Sequence, residues 1–327
     1  MRAAWYDRNG AAHEVLTVGE LPDPEPGPGE VRVRLAAAGV NPADVKRRSG
    51  AGGRTMTAPR VVPGDDGAGT IDTIGPGVPA YRVGRRVWVY AAGQHSPFGT
   101  SAEYVVVPDA QAVELPDAVP FEAGACLGVP ALTAHRCLLA DGPVDGATVL
   151  VTGGAGGVGH YAIQLAKNHG ATVIATASTG EKQRASLASG ADHVVDYRRT
   201  GAAEAILELT GGRGVDRVVD VAFGANLPLT STVVATNGTI AGYASDAVPE
   251  PTLPFYPLMR RGIVVRMVLV YVMPEDALRS GIEDITELLA KDALHHPIAA
   301  RHRLDEIAAA HEAVETGSGI GKIIIRP

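Results

Sequence analysis

A run of glycines at residues 153–159 constrains the fold of this chain more than any other part of its sequence. The run reads GGAGGVG and places Gly154, Gly156 and Gly159 in a GxGxxG pattern directly after a short apolar stretch. In a strand–turn–helix unit, the first glycine permits the turn, the second lets the backbone approach a pyrophosphate, and the third lets the helix pack closely on the sheet. The run therefore predicts a dinucleotide site at the N-terminus of a helix. A glycine-rich turn that only connects strand to helix is the alternative.

The sequence on either side of the glycines indicates two domains. Residues 1–120 are rich in Gly and Pro, with short Val-rich stretches that are typical of β-structure, whereas apolar runs and helical patterns alternate from residue 121 onward. A length of 327 residues also favours two domains, because domains average about 150 residues. The second domain is predicted to be a Rossmann fold with strands at 148–152, 172–177, 193–196, 216–221, 239–242 and 263–271.

Shorter signals complete this outline. Strands in the first domain are predicted at 31–35, 70–74, 86–90 and 104–107. Two helices, at 276–291 and 304–315, precede a β-like tail at 322–326. The tail is expected to return to the first domain.

Composition argues against several classes of function. The net charge is −7 and the basic pairs are scattered, which argues against a nucleic-acid surface. No window holds the roughly 20 apolar residues of a membrane span, and the N-terminus shows no signal or transit pattern, so we expect a cytoplasmic protein. The two cysteines, Cys126 and Cys137, lie in apolar sequence without a CxxC motif, and we interpret both as core residues.

The end of the second Rossmann strand bears on which dinucleotide binds. An NAD enzyme usually carries an Asp or Glu there to hold the adenosine ribose, but residues 175–179 read ATAST. Ser178 and Thr179 can donate hydrogen bonds to a 2′-phosphate, and Lys182 supplies a positive charge one helical turn later. We therefore predict NADPH. Alternatively, Ser178 only caps the next helix, because it forms a capping-box pattern with Glu181, and the two roles can coexist.

Metal and nucleophile motifs are missing from the sequence. The ten histidines lie apart or in loops, and neither a three-ligand catalytic zinc set nor a Cys-rich structural set occurs. There is no GxSxG elbow, and the tail lacks the first glycine and the Ser/Thr of a P-loop. The expected chemistry is therefore independent of metal.

Four stretches taken together resemble the medium-chain dehydrogenase/reductase superfamily, specifically its zinc-independent quinone oxidoreductase branch, which includes the zeta-crystallins. They are the glycine run, AGVNPAD at 38–44, VPGDDGAG at 62–69 and GVPALTA at 128–134. The resemblance covers nearly the whole chain and implies an α/β protein. It implies a GroES-like β-barrel domain over residues 1–120, completed by residues 272–327, and a Rossmann NADPH-binding domain over residues 121–271.

The same resemblance agrees with the missing metal ligands. Zinc-binding relatives carry a Cys after the Gly-Val that corresponds to residues 39–40, and a Gly-His-Glu at residues 64–66. This chain has Asn41 and Asp65 at the two ligand positions. It also has no cysteine between residues 87 and 121, where such relatives carry a structural-zinc loop.

The resemblance further implies which residues bind the cofactor. Near the nicotinamide it implies Asn41, Thr133, Phe223, Gly242, Tyr243, Leu269, Val270, Tyr271 and Lys322. At the pyrophosphate it implies Gly156, Gly157 and Val158, beside Gly154 and Gly159 of the glycine motif, and at the adenosine end it implies Ser178, Lys182 and Tyr197, beside Thr179. Ordinary packing is the alternative for each of them.

Lys46 departs from the family pattern and leaves the acceptor open. Quinone reductases of this family often carry a Tyr five residues after the Asn, beside the substrate, where this chain has Lys46. The expected reaction is hydride transfer from NADPH to a quinone or a similar small electrophile, because without a metal the acceptor must itself be electron-poor. Asn41, Lys46, Tyr243 and Tyr271 are the candidate catalytic residues, the two tyrosines as proton donors besides water. Reduction of the double bond of an enone or enal, and an NADPH-binding protein without catalysis, are the alternatives.

The expected partners are a small-molecule substrate and a second copy of the chain. The predicted strand at 263–271 is apolar and is expected at a sheet edge, which has to be covered. In the family that the chain resembles, such edges pair across a dimer. A homodimer is therefore expected, with neither nucleic acid nor membrane as a partner.

Overall fold

The computed structural model describes residues 1–317 and 319–327. It divides into two compact units. Unit 1 comprises residues 1–129, 282–292 and 296–327, and unit 2 comprises residues 130–281 and 293–295. Both ends of the chain thus belong to unit 1. We expected domain limits after residues 120 and 271, which is somewhat earlier in the chain than the limits of the two units after residues 129 and 281. The expected limits stay a prediction.

The N-terminal part of unit 1 is mainly β-structure. Its strands are β1 (Arg2–Trp5), β2 (Thr17–Glu20), β3 (Glu30–Val40), β4 (Asp66–Ile74), β5 (Arg86–Val89), β6 (Tyr104–Pro108) and β7 (Ala112–Glu114). Its helices are α1 (Ala12–Val15), α2 (Pro42–Ser49), α3 (Ala92–His95) and α4 (Phe121–Gly124), followed by α5 (Gly128–Leu139), which continues into unit 2. Each of the four stretches predicted here overlaps a strand. The inward-facing Val31, Val33, Ile71 and Val87 form its core.

Helix α2 carries several of the candidate residues. It begins with Pro42 in its first turn, where a missing N–H costs nothing. The side chain of Asp44 accepts a hydrogen bond of 2.8 Å from the backbone N–H of Asn41, which satisfies a donor at the helix start. The helix ends at Gly50, whose φ of 77° is left-handed.

Unit 2 is a parallel sheet with helices between its strands. The strands are β8 (Thr148–Val151), β9 (Thr172–Thr176), β10 (His193–Val195), β11 (Val215–Asp220), β12 (Val234–Gly242) and β13 (Val264–Met267). The helices are α6 (Gly157–Asn168), α7 (Gly180–Ala188), α8 (Ala202–Leu209), α9 (Phe223–Val233), α10 (Phe255–Met259) and α11 (Glu275–Ala290), which continues into unit 1. The strand order β10-β9-β8-β11-β12-β13 is that of a Rossmann sheet, so this part of the fold prediction is confirmed.

The sixth predicted strand, at 263–271, is too long. Strand β13 stops at Met267, and residues 270–272 form a single 3-10 turn instead. The backbone N–H of Val268 still reaches the carbonyl of Gly242, where β12 ends. Beyond that point no neighbouring strand remains to pair with, so an apolar sequence alone cannot keep the chain extended.

The C-terminal segment returns to unit 1, as predicted. It adds β14 (Ile298–Arg303), α12 (Ile307–Thr316) and β15 (Lys322–Arg326). Strand β15 pairs in parallel with β14 and antiparallel with β3, and the sheet runs β14-β15-β3-β4-β5-β7, with β6 also on β3. A second core joins both ends of the chain through Val40, Val45, Ile307 and Ile325. None of the described helices is long and apolar enough to span a membrane.

His311 is a buried titratable group in the second core. It lies on α12 with 1% of its surface exposed, and in the part of the chain that the structure describes neither ring nitrogen has a hydrogen-bond partner. Burial, reinforced by the charge of Arg48, lowers the pKa of His311 to about 3. The folded state therefore keeps this imidazole neutral at a pH where the unfolded chain takes up a proton.

We expect His311→Leu to flatten the acid side of the stability profile. Because the folded pKa is depressed, the contribution of His311 to stability is lost as the pH falls below about 6.5. Between pH of about 7 and about 5, the wild type should lose about 2 kcal/mol more of its free energy of unfolding than the variant loses. Urea denaturation at both pH values measures this, with the same substitution at the exposed His13 as control. Equal pH dependence of wild type and His311→Leu would contradict the argument.

Candidate functional site

Three buried polar side chains meet in unit 1 around Asp66. The amide Nδ2 of Asn41 donates to Asp66 Oδ2 at 2.7 Å, and Lys322 Nζ donates to the same oxygen at 3.0 Å and also to Asn41 Oδ1. The other oxygen of Asp66 accepts the backbone N–H of Val129 at 2.9 Å. All three side chains are at most 4% exposed. Asn41 and Lys322, which were predicted separately, thus belong to one network whose centre, Asp66, was missed.

Two glycines make room for this network. A Cβ on Gly39 would lie 2.6 Å from Lys322 Cε and 2.1 Å from the carbonyl oxygen of Ala125. A Cβ on Gly128 would lie 2.1 Å from Asp66 Oδ1. Burial raises the pKa of Asp66, and the Lys322 ammonium and the Asn41 amide oppose that rise. The Lys322 ammonium and the Asn41 amide therefore stabilise the charged form of Asp66 in place of water.

A second polar cluster lies beside the first. Arg47 Nη2 donates to Asp44 Oδ1 at 2.7 Å and to Asp65 Oδ2. Asp44 is 1% exposed and Asp65 is fully buried, so one guanidinium serves two carboxylates that have almost no contact with water. Burial, and after it the charge of Asp65, raises the pKa of Asp44 to about 7. The sequence prediction named Lys46 instead. Lys46 lies half-buried next to Arg47 on the same helix.

A cavity of about 250 Å³ adjoins this cluster within unit 1. Asp44 and Arg47 line it together with Tyr6 and Gly64, and exposed Thr55 and Gln94 lie at its rim. Its wall is thus buried and charged on one side and open to solvent on the other.

The glycine run in unit 2 forms a tight turn between β8 and α6. The left-handed residue of the turn is Gly153, with φ of 65°, and not Gly154, to which the sequence prediction gave the turn. Gly154 instead packs closely, since its Cβ would lie 2.9 Å from that of Ala175. A Cβ on Gly159 would lie 2.3 Å from the carbonyl oxygen of Gly153, which confirms close packing there. Apart from its chain neighbours and the backbone of its own helix, none of the described residues has an atom within 4 Å of a Cβ built on Gly157, so the backbone is open at the start of α6.

Asp220 ties this turn to the neighbouring strand. Its Oδ1 accepts from Thr152 Oγ1 at 2.8 Å and from Asn226 Nδ2 at 2.7 Å, and Thr152 Oγ1 accepts from the backbone of Val221 at 3.0 Å. Strands β8 and β11 are adjacent in the sheet although β9 and β10 separate them in sequence. Their carboxyl ends are the point where the strand order reverses, and open α/β sheets bind ligands at such points.

The predicted adenosine residues follow β9 and β10. The cap of α7 is Thr179, whose side chain accepts the backbone N–H of Lys182, so the capping box predicted for Ser178 is wrong. Ser178 is partly buried just ahead of it, and Tyr197 is 46% exposed after β10. The two strand ends are neighbours, because the N–H of Ala177 bonds to the carbonyl of Val195.

The predicted nicotinamide residues of unit 2 follow β11, β12 and β13 at the same edge of the sheet. Gly242 is glycine because its Cβ would lie 3.0 Å from that of Phe223. Burial raises the pKa of Tyr243 well above 10. Leu269, Val270 and Tyr271 lie in or next to the 3-10 turn after β13 and not in a strand, and Thr133 is buried on α5.

Metal-ligating side chains do not gather at either place. Over residues 1–317 and 319–327, no three His, Cys, Asp or Glu side chains are arranged to hold a metal ion. The two residues at the positions where zinc-binding relatives carry ligands contact basic side chains: Asp65 contacts Arg47, and Asn41 contacts Lys322.

The two units match known families. Residues 27–117 match the alcohol dehydrogenase GroES-like domain, and residues 157–289 match the zinc-binding dehydrogenase family. The quinone oxidoreductase of Pseudomonas aeruginosa is 31% identical over 320 residues, which is 96% of each chain. The chain belongs to the quinone oxidoreductase branch of the medium-chain dehydrogenase/reductase superfamily. The resemblance seen in the sequence, and the GroES-like and Rossmann parts that it implied, are confirmed.

Two further relatives bear on the chemistry of this branch. A Burkholderia 2-haloacrylate reductase is 30% identical over 305 residues, which is 91% of this chain and 90% of its own. A mycobacterial protein solved in complex with NADPH is 30% identical with a TM-score of 0.87, and the match covers all of both chains. The match to the mycobacterial structure thus extends over the whole length of this chain.

Lys322→Met should destabilise the protein by about 3–5 kcal/mol, because Asp66 is then buried without its cation. Most of the loss should return in the double variant Lys322→Met/Asp66→Asn, which removes the charge as well. Urea denaturation of wild type, both single variants and the double variant measures the coupling. Arg326→Met, at the exposed end of the same strand, is the matched control and should change little. A double variant as unstable as Lys322→Met would contradict the assigned role of Asp66.

Proposed function

We propose that this chain is a zinc-independent, NADPH-dependent oxidoreductase that reduces a quinone or a similar small electrophile. The observation that carries the proposal is the open glycine turn at the reversal point of the Rossmann sheet. An exposed helix N-terminus beside backbone without side chains suits a pyrophosphate, because its N–H groups and the helix dipole favour negative charge. Gly156 is the N-cap residue of that helix, and space is open above Gly157.

The adenosine end supports NADPH over NADH. No acid follows β9 directly, and the partly buried Ser178 and the exposed Thr179 occupy the place where an acid would repel a 2′-phosphate. Lys182 lies in the first turn of α7 and brings a positive charge. Arg198, which the sequence prediction left out, follows β10 and is 57% exposed in its side chain. Its guanidinium contacts Asp196.

The polar networks of unit 1 support chemistry without zinc. A zinc site needs three protein ligands and an open position. The two positions at which zinc-binding relatives carry ligands hold Asn41 and Asp65 here. A Lys ammonium contacts the first and an Arg guanidinium the second, and these cations would repel a metal ion.

The residues of this chain would contribute position and proton supply. When bound, NADPH supplies the hydride. Asp66 holds Asn41 and Lys322 by hydrogen bonds, so the positions of both side chains are fixed before any ligand arrives. Tyr243 stays protonated near neutral pH and can donate a hydrogen bond, but its raised pKa makes it a weak acid.

Reduction of an activated carbon–carbon double bond is the second candidate. It is favoured by the relative named 2-haloacrylate reductase, which matches about nine-tenths of the chain. Quinones and enones are both electron-poor without a metal, so the same site could serve either.

NADPH oxidation should be measured against a panel of quinones, enones and acrylates, with and without chelator and with NADH in parallel. We expect turnover that survives the chelator and falls about tenfold or more with NADH. Lys182→Met should weaken NADPH binding about 10- to 100-fold and leave NADH binding nearly unchanged, since it removes one charged contact. Turnover that the chelator abolishes would overturn the zinc-independent proposal.

Gly157→Val tests the proposed cofactor site directly. The new side chain has open space in the folded protein, so the melting temperature should stay within a few degrees of wild type. It would occupy the place proposed for the pyrophosphate, so binding of both NADPH and NADH should be lost. Unchanged cofactor affinity in this variant would place the dinucleotide elsewhere.

We also propose a homodimer formed through the edge of the Rossmann sheet. Strand β13 is the last strand of the sheet, and the side chains around it are apolar and exposed: Phe255 65%, Tyr256 63%, Met267 66% and Val272 72%. An open apolar edge of this kind promotes pairing with another strand.

Light scattering should therefore give twice the chain mass for the wild type. Met267→Lys should shift the protein toward the monomer, because it places a charge at the apolar edge. Leu209→Lys, at an exposed leucine of α8, is the control and should remain dimeric. A monomeric wild type would refute the dimer.

A further inference from the structure

Two buried carboxylates, Asp44 and Asp65, lie at or beside the wall of the unit 1 cavity, and Arg47 contacts both of them. Burial, and after it the charge of Asp65, raises the pKa of Asp44 to about 7, so the carboxyl of Asp44 can hold a proton near neutral pH. Asp44 is the one that lines the cavity.

The other groups that face Asp44 leave it as the proton carrier. Burial raises the pKa of Tyr6, so its phenol stays neutral and is a weaker acid. Asp66 contributes a further negative charge, although Lys322 and Asn41 bind it directly. The backbone N–H of Asn41 and the Arg47 guanidinium both donate to Asp44, and they would stabilise its carboxylate once the proton has left. With a pKa of about 7, Asp44 is suited to give and regain a proton near neutral pH.

We propose that Asp44 is the proton donor to the acceptor, an uncharged quinone or enone whose oxygen binds at the wall of this cavity, and that Arg47 and Asp65 are its positioning residues. This rests on the proposed function. The acceptor gains a hydride at carbon, its π pair moves to oxygen, and that oxygen forms an O–H bond as the O–H bond of Asp44 breaks. Asp44 is left as a carboxylate, which solvent at the open rim reprotonates. An acceptor that carries its own carboxylate would meet the negative charge that Asp44 takes on when it gives up its proton, so uncharged acceptors are favoured.

The test combines turnover with a direct measurement of the proton. Asp44→Asn keeps an oxygen to accept the Asn41 N–H but cannot donate a carboxyl proton. Asp65→Asn removes the neighbouring charge and serves as a second variant if the first folds poorly. Asp72→Asn is the matched control, because Asp72 is an ion-paired carboxylate elsewhere in unit 1, on β4.

We expect wild-type kcat to fall as the pH rises past about 7, since the donor is then ionised. Asp44→Asn should lower kcat about 100-fold or more and remove this fall, with NADPH binding unchanged. In Asp65→Asn the fall should move to lower pH. The infrared band of a protonated carboxyl should titrate over the same range in wild type, disappear in Asp44→Asn, shift in Asp65→Asn and persist in Asp72→Asn.

The outcomes separate this inference from the function beneath it. If wild type reduces an acceptor and Asp44→Asn keeps its kcat and pH profile, the donor role is wrong and the proposed function stands. If the carboxyl band of wild type is also present in Asp44→Asn, the proton is held elsewhere and the donor role is again wrong. If wild type reduces no acceptor although NADPH binds, the proposed function fails and the donor role with it.

Discussion

A carboxylate without access to water must find its positive charge inside the protein, and Asp66 finds it 256 residues further along the chain. The rest of unit 1 is arranged around that requirement. Strand β15 has to lie against β3 for Lys322 to reach Asp66, and Gly39 and Gly128 have to lack side chains for the groups to approach. Asn41 then completes the hydrogen bonding and sets the start of α2. One buried charge thus links the N-terminal strands, α2 and the end of the chain.

Unit 2 was largely predictable because its signals are local. Strand β8, the glycine turn and α6 are consecutive in sequence, and Gly154 and Gly159 are explained by contacts with the next strand and within the same turn. The errors lie where a neighbour decides. Strand β13 stops where β12 has no residue left to pair, and Thr179 caps α7 although Ser178 also has a capping side chain. Neither outcome can be worked out from one segment alone.

The polar groups of unit 1 were less predictable because their partners are distant. The resemblance pointed to Asn41 and Lys322, but it presented them as separate contacts, and Asp66 stands in the sequence beside an equally acidic neighbour. The two acids have different partners: Asp66 faces Lys322 from the C-terminus, and Asp65 faces Arg47 from α2. On α2 the prediction named Lys46 and did not single out Arg47, whose guanidinium contacts both Asp44 and Asp65. Successive side chains on a helix point about 100° apart, so the sequence alone does not show that Arg47 faces these carboxylates.

The position of β15 between β14 and β3 has a consequence for folding during synthesis. A ribosome delivers β3 well before β15, with the whole of unit 2 in between. Until residues 322–326 emerge, the edge of β3 that receives β15 stays unpaired, and the apolar faces of Ala38 and Val40 stay uncovered. Unit 2 is nearly continuous in sequence, so it can fold before unit 1 is complete. Synthesis of residues 322–326 is therefore the step that completes this sheet, and a nascent chain stalled before residue 322 would present an open, aggregation-prone strand.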